Sequence, residues 1–361
     1  MDVLLVISIL LAVALAIATA VAETSLPHWA VRMCDFPRLQ ILVLALVTAG
    51  GFGVAAPFNQ WWTWVVLGVL VAVMVRQAWW IVPYVPGMPR EVASTDRDAT
   101  LCVVISNVLM PNDDHERWRQ VIGACDADVV AVAENDRRWT DAIDELLGES
   151  HPHKHAEPLD NLYGMAIWSR LPTRDVSIEH IVQDDIPSIH GTLTLGDGRA
   201  VRFHCVHPRP PVPAEYESSV PRDAELVLVG RRVAEQRASA DSLPTIVMGD
   251  LNDVAWSRTT QLFRRISGLL DPRRGRGFFN SFHAHRWWFR CPLDHVFVSP
   301  EFRVGELRRL PHVGSDHFPM LVRLRLEANA SHAQDPPQPD AADLADAQLR
   351  LEREEADSSD G

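Results

Sequence analysis

The chain has 361 residues and a net charge of −13, long enough for more than one structural unit. Seven of those charges belong to residues 328–361, which hold nine acids and two bases, so the rest of the chain carries only −6. A mildly acidic body argues against the broad basic footprint of a duplex-binding protein.

Taken in chain order, three apolar runs come first, over residues 3–22, 41–58 and 61–82, the third interrupted only by Arg76 and Gln77. Each is long enough for a membrane-spanning helix, which needs about 20 apolar residues. Trp61, Trp62, Trp79 and Trp80 stand at the two ends of the third run, as in an interfacial belt. Arg76 is close enough to its end to snorkel. Three such runs in the first 82 residues favour spans over a buried helical core. Ala20-Val21-Ala22 before Glu23 also has the form of a signal-peptidase site, but no Lys or Arg precedes the run, so an uncleaved helix is favoured. Three spans from an inside N-terminus put the remainder outside, as does a cleaved signal followed by two spans. Arg32 and Arg38 in the first loop lean the other way under the positive-inside rule, and the residues leave orientation open.

Residues 83–98, with three prolines and a glycine followed by charges, read as a linker. Short apolar runs follow at 101–107, 128–136, 163–170, 243–253, 291–299 and 320–326, with a hairpin at 188–208 turning on Gly196-Asp197-Gly198. Helical patterns fall at 116–125, 139–147 and 222–240. Several strands are apolar throughout, as in sheets covered on both faces. The expectation is layered α/β with mixed sheets over 99–327. Residues 328–361, poor in apolar side chains and acidic, read as a disordered tail. Cys34, Cys102, Cys125, Cys205 and Cys291 form no CxxC pair, and Cys102 and Cys205 fit as small buried hydrophobes.

Polar residues recur where apolar strands end: Asn107, Glu134, His207, and Asp250 with Asn252; Asp316-His317 completes the set. Rigid strand ends beside free loops are where sheet proteins commonly build sites. Each has a bland alternative, a solvated strand end or a turn cap. Asp294, inside the apolar run PLDHVFV, is harder to dismiss, because a buried carboxylate is costly unless paired. As a set they suit phosphoester cleavage. Asn107, Glu134 and Asp316 supply an oxygen environment for a hard cation such as Mg²⁺. Asp250 can hold a water, Asn252 can donate to a phosphate oxygen, His207 and His317 can contact phosphate, and Asp294 can fix or charge His317.

The ordered segments ISN at 105–107, AEN around Glu134, the strand-end His207, GDLN at 249–252, LDHVFVS at 293–299 and GSDH at 314–317 resemble the endonuclease/exonuclease/phosphatase superfamily, from about residue 101 to 326. The resemblance implies a four-layer α/β sandwich, here preceded by three N-terminal transmembrane helices, and Mg²⁺-dependent phosphoester hydrolysis, with Mn²⁺ as an alternative ion. It implies a metal site at Asn107, Glu134 and Asp316. It assigns His207 to phosphate contact, Asp250 and Asn252 to the nucleophile and transition state, and Asp294 to pairing with His317. Whether Asp250 or His317 is the base stays open. Ala133 stands where the family often has Gln, and GDLN replaces the commoner GDFN.

The family acts on nucleic acids, lipids and inositol phosphates, so the substrate must be read elsewhere. Residues 273–290, RRGRGFFNSFHAHRWWFR, concentrate Arg, His and aromatics before Asp294. They read either as a mobile loop or as a substrate rim, with Arg286 for phosphate and Trp287 and Trp288 against a membrane, lipid or base. The layout also resembles a membrane-anchored bacterial subgroup of the family, which implies an extracytoplasmic domain acting on a lipid-linked phosphate such as a polyprenyl pyrophosphate. A membrane-tethered nuclease and a catalytically silent membrane scaffold are the alternatives, and oligomeric state is not legible.

Overall fold

The computed structural model describes residues 3–213, 215–327 and 329–360. Residues 1–2, 214, 328 and 361, among them the outer ends of the expected membrane region and tail, lie outside the described residues.

Helix α1 (Val3–Ala22) leads through the one-turn α2 (Trp29–Arg32) to α3 (Arg38–Ala55) and α4 (Trp61–Ile81). Of these, α1, α3 and α4 are long and apolar enough to cross a membrane. The second run is displaced from the expected 41–58. It starts at Arg38 and stops at Ala55, because Pro57 holds Ala56 in extended backbone. Ala12, Leu15, Ile41, Ala45, Leu70 and Val73 close the seam between the three helices, while Leu10, Ile17, Val47, Val54 and Val75 face outward. At one end of the bundle Glu23 accepts from Arg38 (3.3 Å), Trp80 Nε1 (3.0 Å) and Arg76.

The expected linker at 83–98 is packed instead. Tyr84 is buried and donates its hydroxyl to Ala255 O (2.7 Å), and Val92 enters the main core. Two apolar side chains in a Pro-rich stretch are enough to pin it.

The remainder is a sandwich of two mixed sheets with helices on the outside. Its elements are β1 (Leu101–Asn107), α5 (His115–Gly123), β2 (Val129–Ala133), α6 (Arg137–Leu147), β3 (His153–Glu157), β4 (Met165–Ser169), β5 (Thr173–Glu179), β6 (Ser188–Thr194), β7 (Ala200–Cys205), α7 (Val220–Ala238), β8 (Thr245–Asp250), α8 (Arg258–Ser267), β9 (Asp294–Val298), β10 (Phe302–Arg309) and β11 (Met320–Leu326). One sheet has the order β10-β11-β1-β2-β4-β3, the other β5-β6-β7-β8-β9. Pairs β1–β2 and β7–β8 are parallel, and the other neighbours are antiparallel.

The strand alternation explains the layers. In β1, Leu101, Val103 and Ile105 face the other sheet with Ile246 and Met248 of β8. Cys102 and Val104 face outward under Trp118, Trp139 and Ile143 of α5 and α6. Across the second sheet, Val247 and Phe297 meet Leu226, Val229 and Phe263 of α7 and α8.

Beyond the sandwich lies a further departure from expectation. Residues Ala341–Asp360 form a helix, α9, rather than a disordered tail. Its Ala347 and Leu351 pack on Val227, Leu262 and Ile266. Arg350 pairs with Asp223 (2.7 Å), and Asp343 receives a two-pronged contact from Arg265 (2.7 and 2.8 Å). One acid of this segment, Asp343, finds a basic partner on α8 and one base, Arg350, an acid on α7, a tertiary context that composition does not reveal.

Candidate active site

The site forms where one end of both sheets converges. Asn107 ends β1, and Glu134 follows β2 directly. His207 lies two residues past β7, and Asp250 ends β8 opposite Asp294, the first residue of β9. Asp316 and His317 precede β11, which runs antiparallel to β1 and so starts at the same end. Two glycines make the approach possible. Gly249 (φ 140°) brings β8 so close to β7 that a Cβ would lie 2.0 Å from Val206 O. Gly314 (φ 92°) opens the GSDH turn, where a Cβ would lie 2.4 Å from Asn112 Oδ1.

His317 sits between two carboxylates. Its Nδ1 is 2.8 Å from Asp294 Oδ2 and its Nε2 is 3.5 Å from Asp250 Oδ2. Burial opposes its charge, but Asp294 and Asp250 outweigh burial and raise its pKa to about 10. Phe282 packs against the ring, 5.0 Å between centres. Asp250 is fully buried. Its Oδ1 accepts from Asn252 N (2.9 Å), and its Oδ2 lies 3.1 Å from Asn107 Nδ2. Burial raises its pKa against the pull of His317.

Asn252 takes a left-handed backbone (φ 51°). Its side chain donates to Pro208 O (2.9 Å), and its carbonyl accepts from Arg222 Nη1 (2.9 Å). His207 is buried beside Tyr163, and among the described residues its Nδ1 has no partner. Burial lowers its pKa, against the pull of Asp250.

Glu134 is the other left-handed residue of the site (φ 58°). Its Oε1 accepts from Asn107 Nδ2 (2.7 Å). Burial is the main cause that pushes its pKa up to about 7, with Asp316 and Asp250 adding to the rise. Asn107 was expected among the metal-site residues. Its oxygen accepts from Leu109 N (3.0 Å) and its nitrogen faces the carboxylates, so here it positions Glu134.

Does this set fit a divalent cation? Glu134 and Asp316 open on one pocket, and the carboxylates of Asp316 and Asp250 add to the rise that burial gives Glu134. Hard cations take such oxygen donors. Asp250, Asp294 and His317 also bring ligand atoms within 4.8 Å of one another. In that trio both ring nitrogens of His317 already face the carboxylates, so the Glu134–Asp316 side fits a cation better.

The pocket holds about 270 Å³. Glu134, Asn252, Asp316 and His317 line one side; Arg32, Met33 and Phe36, from the segment between α1 and α3, line another. A larger cavity of about 670 Å³ lies between α4 and α8, beside Trp79, Arg265 and Arg274, and touches none of the catalytic candidates.

The structure thus brings together Asn107, Glu134, His207, Asp250, Asn252, Asp294, Asp316 and His317. It does not bring in Arg286, Trp287 or Trp288, which are absent from the pocket lining. Trp287 and Trp288 are 78% and 57% exposed. Phe289 of the same turn points inward instead, and Trp288 O accepts from Gln40 at the start of α3 (3.0 Å). Sequence reasoning missed Arg32, Met33 and Phe36, whose place in the pocket joins distant parts of the chain. It also missed Tyr163, which donates to Glu215, and Arg222. A charged residue in an apolar-faced helix was the only signal for Arg222.

A family model described as the Endonuclease/Exonuclease/phosphatase family matches residues 105–317, more than half of the chain. Among solved structures, the chain is similar to the catalytic domain of human Nocturnin with bound sulfate, at 16% identity and a TM-score of 0.52, covering 64% of this chain and 96% of that one. An endonuclease/exonuclease/phosphatase family protein from Bacteroides thetaiotaomicron is similar at 19% identity and a TM-score of 0.51, covering 65% and 98%. One from Beutenbergia cavernae DSM 12333 is similar at 18% identity and a TM-score of 0.52, covering 63% and 72%. At these identities the structural likeness speaks for the fold alone. A search of curated proteins finds no match.

Proposed function

The chain belongs to the endonuclease/exonuclease/phosphatase family, and on that premise we propose that it is a membrane-anchored, divalent-metal-dependent phosphoesterase acting on a lipid or polyprenyl phosphate. Members of the family hydrolyse phosphate esters. The observation that carries the lipid reading is the shared pocket: residues of the segment joining two apolar helices and residues of the catalytic set line the same cavity. A substrate held in a bilayer reaches such a pocket without leaving the surface. An outward-facing domain, on three spans from an inside N-terminus, completes the reading.

Glu134 and Asp316 are the residues that would hold Mg²⁺ or Mn²⁺, with Asn107 fixing Glu134. When bound, the ion supplies positive charge to a phosphoryl oxygen. Asp250, hydrogen-bonded by Asn252 N and Asn107, orients the attacking water and accepts its proton. His317 is held protonated between Asp294 and Asp250, which suits it to donate to phosphate rather than to act as base. Asn252 has one amide hydrogen beyond its bond to Pro208, and His207 has an unpartnered Nδ1. Both suit a phosphate oxygen.

The test uses purified protein in detergent with Mg²⁺ or EDTA. Phosphate release is followed from polyprenyl pyrophosphate, with phospholipid and single- and double-stranded DNA in parallel and Asp250→Asn as the blank. Mg²⁺-dependent turnover of lipid, absent from the blank, supports the proposal. Turnover of DNA alone makes the protein a tethered nuclease.

A further inference from the structure

The segment between α1 and α3, residues 23–37, is docked against the catalytic domain. Trp29 N donates to Glu217 O (2.7 Å), and Ser219 N donates to Pro27 O (2.7 Å). Trp256 Nε1 donates to Asp35 O (2.8 Å), and Arg258 donates to Glu23 O (2.6 Å). Phe36 packs with Val254, Trp256, Cys291 and Leu293. The docking turns Arg32 and Met33 into the catalytic pocket.

Arg32 is 5% exposed. Its Nη1 bonds Asp35 Oδ2 (3.2 Å) and its Nη2 bonds Thr24 O (2.6 Å). Among the described residues its Nε has no partner. Three guanidinium groups, Arg32, Arg38 and Arg76, share two carboxylates, Asp35 and Glu23. A buried, incompletely bonded guanidinium in a low-dielectric pocket is a strong anion receptor. Beside it the pocket has an apolar side, with Met33, Phe36, Phe289 and Leu293, while Glu134, Glu215 and Asp316 supply its carboxylates.

We propose that this segment is part of the substrate site: Arg32 receives the phosphate beyond the scissile bond of a membrane-borne substrate, and Met33 flanks the first carbons of its chain. The inference rests on the lipid-phosphate reading above. It makes the segment a determinant of which phosphate compound is accepted, whereas the carboxylates and His317 determine what happens to it. The segment joins two helices that are long enough to span a bilayer, so a chain leaving the pocket on this side meets membrane rather than water.

The experiment compares the full-length wild type with Arg32→Gln, Arg32→Lys and Met33→Asp in detergent with Mg²⁺. Each is assayed on a long-chain polyprenyl pyrophosphate and on bis(p-nitrophenyl) phosphate, a small diester without a chain. Thermal melting confirms that each variant is folded; if Arg32→Gln is not, Met33→Asp carries the comparison. The expected result is a fall of about tenfold or more in the polyprenyl-to-diester ratio of kcat/KM for Arg32→Gln and Met33→Asp. The change falls mainly on KM for the polyprenyl substrate, and Arg32→Lys recovers part of it. An unchanged ratio in folded variants, with the wild type still hydrolysing the lipid, overturns this inference and leaves the phosphoesterase reading standing. A wild type that hydrolyses the diester but no polyprenyl substrate overturns the lipid reading itself.

Discussion

Asp294 is buried, 2.8 Å from His317 Nδ1, and bonded to little else: its backbone N–H donates to Ser281 Oγ, and its Oδ1 has no partner among the described residues. Its carboxylate is committed to holding an imidazolium. Asp294→Asn keeps the shape and removes that charge, so the pKa of His317 falls. The expected outcome is a loss of roughly 10²- to 10⁴-fold in kcat, with the alkaline limb of the pH–rate profile moved to lower pH and little change in melting temperature. A second residue reports on stability. Glu225 of α7 is buried with Oε1 unpartnered among the described residues, and burial pushes its pKa up from 4.5 to about 8. The folded state therefore keeps a proton that the unfolded state releases, and stability falls as pH rises from 4.5 to 8. Glu225→Gln should flatten that slope, read from melting temperatures at pH 5 and pH 8; an identical slope in the variant would show that Glu225 is solvated or paired. At this scale much of the site was legible, because Asn107, Glu134, Asp250 and Asp294 each interrupt or end a run of apolar residues. Arg32 was not: nothing local distinguishes an arginine in a short loop from one that faces a pocket.

Central strands were readable for the same reason that they are buried. Val103, Val129 and Val247 belong to runs with no polar alternation, whereas three of the four edge strands, β3 (HKHAE), β5 (TRDVSIE) and β10 (FRVGELRR), expose one face and one edge and carry charges there. Those were the strands that sequence reading passed over. Helix α8 (RTTQLFRRIS) escaped similarly, with only Leu262, Phe263 and Ile266 as apolar contacts. Helix α9 is the clearest case, since its stability comes from partners elsewhere in the chain. Arg350 lies over Asp223, itself held by Arg222, which in turn holds Asn252 O. Arg350→Met breaks the first link of that series. It should lower stability by roughly 3 kcal/mol, the usual cost of removing one partner of a buried ion pair, measured by thermal or denaturant unfolding in detergent. A melting curve identical to the wild type would show that α9 is not docked in solution.

The whole molecule joins two bodies that a sequence presents as separate. Composition separates the apolar N-terminal helices from the sandwich, and it suggests a linker and a tail at the boundaries. The structure ties them instead through Tyr84, Val92 and the segment 23–37, and the pocket is shared across that junction. Such contacts join residues far apart in the chain and leave no periodic trace, which is why the fold was more legible than the substrate side of the site. The central claim is that chemistry is done on a molecule held in the membrane. Surface-dilution kinetics test it most directly: turnover of a polyprenyl pyrophosphate by the reconstituted protein, with Mg²⁺, as inert lipid is added at constant bulk substrate. The account predicts that the rate follows the mole fraction of substrate in the bilayer and falls as inert lipid is added. A rate set by bulk concentration alone, indifferent to dilution in the membrane, would contradict it.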